Sequence, residues 1–390
     1  MKILIVLDNI HTGGISKSLL NLLPVIAEKG QCDLLIFNYH NLNKDLIPEN
    51  VNLLIPDDDL HILGMSQKEI LKYSKKKYMF RLFLVLLSRV VSGDFSRKIL
   101  FRKINNLTEY DLAISYSQDV GWKTISTGCN HFVMDKVQAK YKAAFIHCDY
   151  EQFGGYDKRQ ERIYKQFDRI VCVSEACKNS FIRMFPKLKE KCCVCENFIN
   201  KKEIQEKIEN GYYKYNDNFC SIVTVCRLSD EKGLLRVVDV LGELYREGYS
   251  NFKWTIVGDG PEYKNIKTSI EKNKLQDYIN LVGQKSNPFY YVKDAKFFLL
   301  PSFHEAAPMV FGECQALGVP IVTTNTISAK ELVEDRGLGI VCENNKLGIY
   351  SIIKDIFDGK VLLPKLSEKQ INKLNHYANK QLNDFLKSFK

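Results

Sequence analysis

Eleven short runs of β-branched and aliphatic residues, separated by stretches with helical spacing, constrain this chain more than any other feature. The first series comprises Ile3–Leu7, Asp33–Phe37, Leu112–Ser115, Ala143–His147, Arg169–Val173 and Cys192–Cys195. The second comprises Ser221–Val225, Trp254–Val257, Ile279–Val282, Phe297–Leu300 and Pro320–Thr323. Strands that are apolar along their whole length are buried on both faces, and strands alternating with helices give parallel α/β sheets. Each series is long enough for its own doubly wound sheet, and 390 residues exceed what one core ordinarily serves, so two domains are expected.

Residues 200–218 (NKKEIQEKIENGYYKYNDN) are polar and divide the two series. The expected organisation is a first Rossmann-like domain over 1–200, a linker over 201–218, a second Rossmann-like domain over 219–365 and a C-terminal helix over 366–390. In that last segment Ile371, Leu374, Tyr377, Ala378, Leu382, Phe385 and Leu386 follow helical spacing and predict one helix, which could cross back to the first domain. Two open parallel sheets facing each other would place their ligand loops, at the strand C-terminal ends, on a shared cleft.

At 45% hydrophobic residues and 22 Gly without a period, the chain is neither disordered nor collagenous. Its net charge of +10 is concentrated: residues 68–103 hold eleven basic residues against Glu69 and Asp94, and the remainder is nearly neutral. That distribution argues against a nucleic-acid partner spread along the chain. The first apolar run, Ile3–Leu7, is too short for an export leader or a bilayer span, and no spanning segment is expected. Most of the twelve cysteines lie in apolar runs such as IVCVSEAC, where thiols act as small hydrophobes; Cys192-x-x-Cys195 lacks a second ligand pair at zinc spacing. Reduced thiols in this number imply the cytoplasm.

The chemistry-bearing residues cluster in the second half. Arg227 and Lys232 lie five apart across a strand-to-helix turn and can converge on one anion at a helix N-terminus, although an isolated pair would be solvated surface charge. After the strand ending at Leu300, a loop carries Glu305, Pro308 suits the start of a helix, and Glu313 lies more than a turn inside it. Two carboxylates eight apart can grip hydroxyls of an extended ligand while the helix N-terminus between them offers N–H groups to a phosphate. Ordinary capping is the alternative for both. His304-Glu305 is not a zinc-protease motif, since Pro stands at 308. Gly258-Asp259-Gly260 lacks the third glycine of a dinucleotide fingerprint, and Gly13-Gly14 lacks P-loop spacing, yet both allow close backbone approach to a ligand.

Five motifs now stand in order: Gly13-Gly14, R-L-x3-K-G at 227–233, V-G-D-G-P at 257–261, V-G-Q at 282–284 and E-x7-E at Glu305 and Glu313. Together they resemble the retaining GT-B glycosyltransferases of family 4, the large group of bacterial polysaccharide and glycolipid enzymes. The likeness spans nearly the whole chain and is weakest from about 40 to 110, where acceptor elements vary. It implies α/β GT-B architecture, with Arg227 and Lys232 neutralising the donor diphosphate, Glu305 beside the transferred sugar and Glu313 on the ribose hydroxyls. It further implies that Gly283 and Gln284 meet the nucleobase, that Gly13, Gly14, Gly258 and the Ala307-Pro308-Met309-Val310 backbone belong to the donor site, and that His147 lies beside the reacting sugar. A buried strand-end histidine is the plain alternative for His147, and Ser174-Glu175 and Asn197 match structural positions. The chain departs from the family at Ala306-Ala307-Pro308, where glycines are common and Pro308 removes one backbone donor.

The resemblance implies transfer of a hexose or N-acetylhexosamine from a nucleotide-sugar, UDP foremost, to a glycan or polyprenyl-linked oligosaccharide. No cofactor or divalent metal is expected, because two cations and a helix N-terminus already face the leaving phosphate. Three alternatives remain at this point: a nucleotide-sugar epimerase of the same fold, a non-catalytic scaffold at the membrane, and a metal-dependent GT-A enzyme using the D-x-D within Asp57-Asp58-Asp59, for which an acidic turn is the plainer reading. Finally, Lys77, Arg81 and Arg89 share a helical stripe beside Met79, Phe80, Leu82, Phe83, Leu86, Leu87 and Val90. Residues 68–103 are therefore expected either to lie as a basic amphipathic helix on the anionic cytoplasmic face of the inner membrane or to pack in the core with a charged edge.

Overall fold

The computed structural model describes residues 1–10, 13–40, 42–119, 123–153, 157–209 and 211–389. The chain divides into two compact units, Met1–Phe198 with Tyr377–Lys390, and Ile199–His376.

The first unit is built on strands β1 (Lys2–Asn9), β2 (Gln31–Asn38), β3 (Val51–Leu54), β4 (Leu107–Ser115), β5 (Val137–Ile146), β6 (Arg169–Cys172) and β7 (Cys192–Val194). They form one seven-stranded parallel sheet in the order β3-β2-β1-β4-β5-β6-β7. The second unit holds β8 (Cys220–Val225), β9 (Phe252–Val257), β10 (Ile279–Gly283), β11 (Phe297–Leu300), β12 (Ile321–Thr324) and β13 (Gly339–Cys342), a six-stranded parallel sheet in the order β10-β9-β8-β11-β12-β13. Both are Rossmann-like doubly wound sheets, as the alternation of apolar runs predicts. Winding reverses between β1 and β4 in one and between β8 and β11 in the other, and right-handed crossovers then put helices on both faces.

Two strands, β3 and β13, fall outside the two expected series. In β3 only Val51 is buried, and β13 is half-buried throughout; each is an edge strand, covered on fewer sides than the central strands.

Two expected boundaries are corrected. The stretch read as a linker over 201–218 begins with a helix, Lys201–Glu209, whose Ile204 is buried with Ile199, Phe289 and Met309 inside the second unit. A few apolar side chains at helical spacing suffice to anchor a segment whose composition is otherwise polar. The single C-terminal helix is two, Glu368–Asn372 and His376–Lys387. Asn375 separates them in the left-handed region (φ 61°), a conformation that asparagine tolerates, and its side chain bonds the backbone of Ile199 at both N (2.9 Å) and O (2.8 Å). The helix beyond it buries Ala378, Leu382, Phe385 and Leu386 against the core of the first unit, with Ile5, Leu22, Phe145 and Val171.

Candidate active site

In open α/β sheets the loops at the strand C-termini next to the winding reversal form the ligand crevice. In the second unit those loops follow β8 and β11, and they carry Lys232 and Glu305. Lys232 Nζ lies 2.6 Å from Glu305 Oε1, although 73 residues separate them. Burial works against the lysine's charge, but the adjacent carboxylate more than offsets it, so its pKa stands above the usual lysine value. Ser302, itself buried, donates to the same carboxylate oxygen at 2.6 Å. Arg227, in the same loop as Lys232, is exposed.

Glycines hold these loops together. Gly233 adopts φ 63° directly after Lys232, and a Cβ there would stand 2.4 Å from the Pro301 carbonyl oxygen, so only glycine lets the β8 loop close on the β11 loop. Gly258, at φ 150°, similarly presses the β9 loop against the Cys226 carbonyl. Gly283 ends β10 with open space over its Cα, and Gln284 beside it is exposed. Arg236 braces the arrangement from behind, donating from both Nε (3.2 Å) and Nη2 to the Pro301 carbonyl and from Nη2 to Asn344 (2.7 Å).

The helix after Glu305 runs Met309–Leu317, with Pro308 at its N-cap and no side chain capping that end. Pro308 therefore sits just outside the helix, and the N–H groups of Met309 and Val310 remain at its mouth, beyond the half-buried Ala307. Glu313 is buried at 6% exposure, which removes the reading of it as an exposed surface carboxylate.

In the first unit the corresponding loops follow β1 and β4. Gly13 and Gly14 open the Gly14–Ala27 helix with no side-chain cap and no heavy atom within 4 Å of where a Cβ would stand. Ser18, one turn in, donates to Asn197 Oδ1 (2.6 Å) and pairs with the Tyr116 hydroxyl (2.7 Å), so Asn197 supports the helix, while Ser174 caps the Glu175–Met184 helix. His147 follows β5. Its ring centroid lies 4.8 Å from Tyr116, its backbone N–H donates to Gln118 Oε1 (3.2 Å), and its ring Nε2 is shielded from solvent without a partner. Burial lowers its pKa to about 4, a backbone hydrogen bond to Tyr116 working the other way, so the imidazole is neutral at pH 7.

The other candidate motifs are absorbed structurally. Asp57 accepts from the Asp59 N–H (3.0 Å), and Asp58 and Asp59 pair with Lys77 Nζ at 2.7 and 2.9 Å, so the acidic triplet is a capped, ion-paired turn. Burial pushes the Cys192 thiol up to about 12 and raises Cys195 further, the opposite of an activated pair. Sequence reasoning missed Ser302 and Gln118. Each lies in a loop at a winding reversal, within three residues of a strand end, and that position is the signal that could have found them. Ser302→Ala removes one of two donors to Glu305, worth about 1–2 kcal/mol. About tenfold lower kcat with donor KM within twofold and melting lowered by no more than a few degrees is expected, and unaltered kcat would show that Ser302 does not position Glu305.

Residues 205–372 match the family described as glycosyl transferases group 1, fewer than half of the 390 residues. An uncharacterized glycosyltransferase of Haemophilus influenzae is 30% identical over 46% of this chain and 48% of its own length. The amylovoran biosynthesis glycosyltransferase AmsK of Erwinia amylovora is 25% identical over 59% of both chains. The chain thus spans about half the length of the curated relatives it matches. Among solved structures, Anabaena HepE in complex with UDP superposes with a TM-score of 0.68 at 16% identity, covering all of both chains. The fold is of the GT-B type, and the match to the group 1 glycosyl transferases lies within the second unit.

Proposed function

We propose that the protein is a retaining, metal-independent glycosyltransferase. It moves a hexose or N-acetylhexosamine from a UDP-sugar to a glycan or polyprenyl-linked oligosaccharide during cell-surface polysaccharide synthesis, on the cytoplasmic side of the inner membrane. The observation that carries this reading is the Lys232–Glu305 pair at the β8/β11 reversal, beside the uncapped N-terminus of the Met309–Leu317 helix. The relative named for amylovoran biosynthesis and the neighbour in complex with UDP support the pathway class and the nucleotide.

Departure of a nucleoside diphosphate builds negative charge on its terminal phosphate. Lys232, Arg227 and the Met309 and Val310 N–H groups supply fixed positive potential for that charge, and Glu313 takes the ribose hydroxyls. The acceptor hydroxyl attacks from the face that the phosphate vacates and gives its proton to a phosphate oxygen, so anomeric configuration is kept. Neutral His147, at the end of β5, is the first unit's candidate for the residue beside the reacting sugar.

A panel of nucleotide-sugars, read by nucleotide release with and without lipid-linked acceptors, tests this. Release from one UDP-sugar, stimulated by acceptor and retained in EDTA, is expected. Acceptor-independent conversion of the donor would point to an epimerase, and loss of turnover in EDTA would overturn the metal-independent mechanism.

A further inference from the structure

The Lys75–Val90 helix is turned opposite to an ordinary surface helix. Its inward face carries Lys77, Arg81, Leu84 and Ser88. Lys77 is held by Asp58 and Asp59, Arg81 is buried and donates to the carbonyls of Ile62 (2.7 Å) and Met65, and Ser88 donates to those of Val85 (2.7 Å) and Lys123 (3.0 Å). Two of the three basic residues expected to meet a membrane therefore point away from solvent. The outward face carries Met79, Phe83, Leu86 and Val90, at spacings of four, three and four, exposed by 63, 54, 61 and 85%. Val91 and Phe95 extend the stripe onto the next helix, Gly93–Phe101.

A helix that hydrogen-bonds its polar side chains inward and leaves a continuous apolar stripe outside is suited to surroundings less polar than water. Exposed cations accompany the stripe: Lys72, Lys75 and Lys76 precede it in the chain, and Lys98, Arg102 and Lys103 lie on or just after the Gly93–Phe101 helix, which folds back to bond Leu84 through Ser96. Past Phe95 the surface opens into a pocket of about 370 Å³ lined by Lys98, Arg159 and Arg162 and, among acids, by Asp94, which pairs with Arg97 and His131, and by Asp135. A second copy of the chain docking through this face would bring the two sets of cations together. An anionic surface with an apolar interior satisfies both features at once.

We propose that the Met79–Phe83–Leu86–Val90 stripe inserts into the interfacial region of an anionic bilayer while the flanking cations, with Arg162, hold lipid phosphates. The proposal goes beyond the transfer reading and stands without it, since it concerns lipid headgroups rather than a sugar donor. The test is flotation of the full chain with vesicles of phosphatidylcholine alone and with 30% phosphatidylglycerol, a fraction chosen as about that of an anionic leaflet. Binding to the anionic vesicles only, weakened by salt, is expected. Phe83→Ser with Leu86→Ser should lower affinity at least tenfold, and Arg102→Glu with Lys103→Glu should remove the preference for anionic lipid, both with donor turnover on a soluble acceptor unchanged. No binding to anionic vesicles would overturn the proposal. So would undiminished binding by the Phe83→Ser, Leu86→Ser variant, or its conversion of a dimer to a monomer in size-exclusion chromatography, which would assign the stripe to a second copy.

Discussion

Lys232→Ala is expected to lower donor turnover by about a thousandfold or more, with the protein still folded. Removing one preorganised stabiliser of developing charge costs about 10²–10³ in kcat. Here the deletion does more than remove a cation: it leaves Glu305, whose side chain is 11% exposed, as an uncompensated negative charge beside the proposed diphosphate site. Lys232→Arg keeps the charge and recovers part of the activity, limited by the bulk of a planar group in a space fitted to one ammonium. Glu305→Gln alone is expected to lose about a hundredfold, since Ser302 still bonds the amide oxygen while the negative charge beside the sugar is gone. Because the two residues act as one pair, the double variant Lys232→Ala with Glu305→Gln should be no worse than Lys232→Ala. Nucleotide release checks the series, with circular dichroism confirming the fold; near-normal turnover in either single variant would remove the pair from the reaction.

What the sequence discloses follows from how locally each feature is encoded. The strand β1 is buried along nearly its whole length, so KILIVLDN announces itself; β3 and β13 lie at sheet edges and blend into the loops. Lys232 and Glu305 are legible because each stands in a short motif of fixed spacing and the two motifs come in order, even though only the fold brings them to 2.6 Å. The Lys75–Val90 helix shows the opposite case. Apolar and charged residues occur all round it, so spacing alone cannot tell which stripe faces inward; the carbonyls of Ile62 and Met65, which receive Arg81, decide that. His131 is less legible still. Nothing in CNHFVMDK marks it, and its partners Asp94 and Asp119 are far from it in sequence.

Those partners make His131→Ala the most destabilising substitution expected outside the sheets. His131 Nδ1 lies 2.5 Å from Asp119 and Nε2 3.0 Å from Asp94, which also pairs with Arg97 at 2.8 Å. Asp119 further receives the N–H groups of Gly128 (2.9 Å) and Asn130 (3.3 Å), so this network ties the loop after β4 to the helices on either side. Burial alone would lower the histidine's pKa, but the two carboxylates outweigh it and raise the value to about 9. The same contacts hold both aspartates below the usual carboxylate range. The signs follow: the histidine's contribution is complete below its unfolded pKa of about 6.5 and is lost as pH rises through about 9, while the aspartates' contribution is lost as pH falls below about 4. Stability of the first unit should therefore peak between about pH 4.5 and 6.5 and fall on the alkaline side by on the order of 3 kcal/mol. Leaving the buried Asp119 without its cation costs about 3–5 kcal/mol and abolishes the alkaline slope. Amide hydrogen exchange in β4 and β5 reads this unit separately from the second. Wild-type protection that stays level from pH 6.5 to 9 would mean that His131 is neutral in the folded protein and that the network is held by hydrogen bonds without charge.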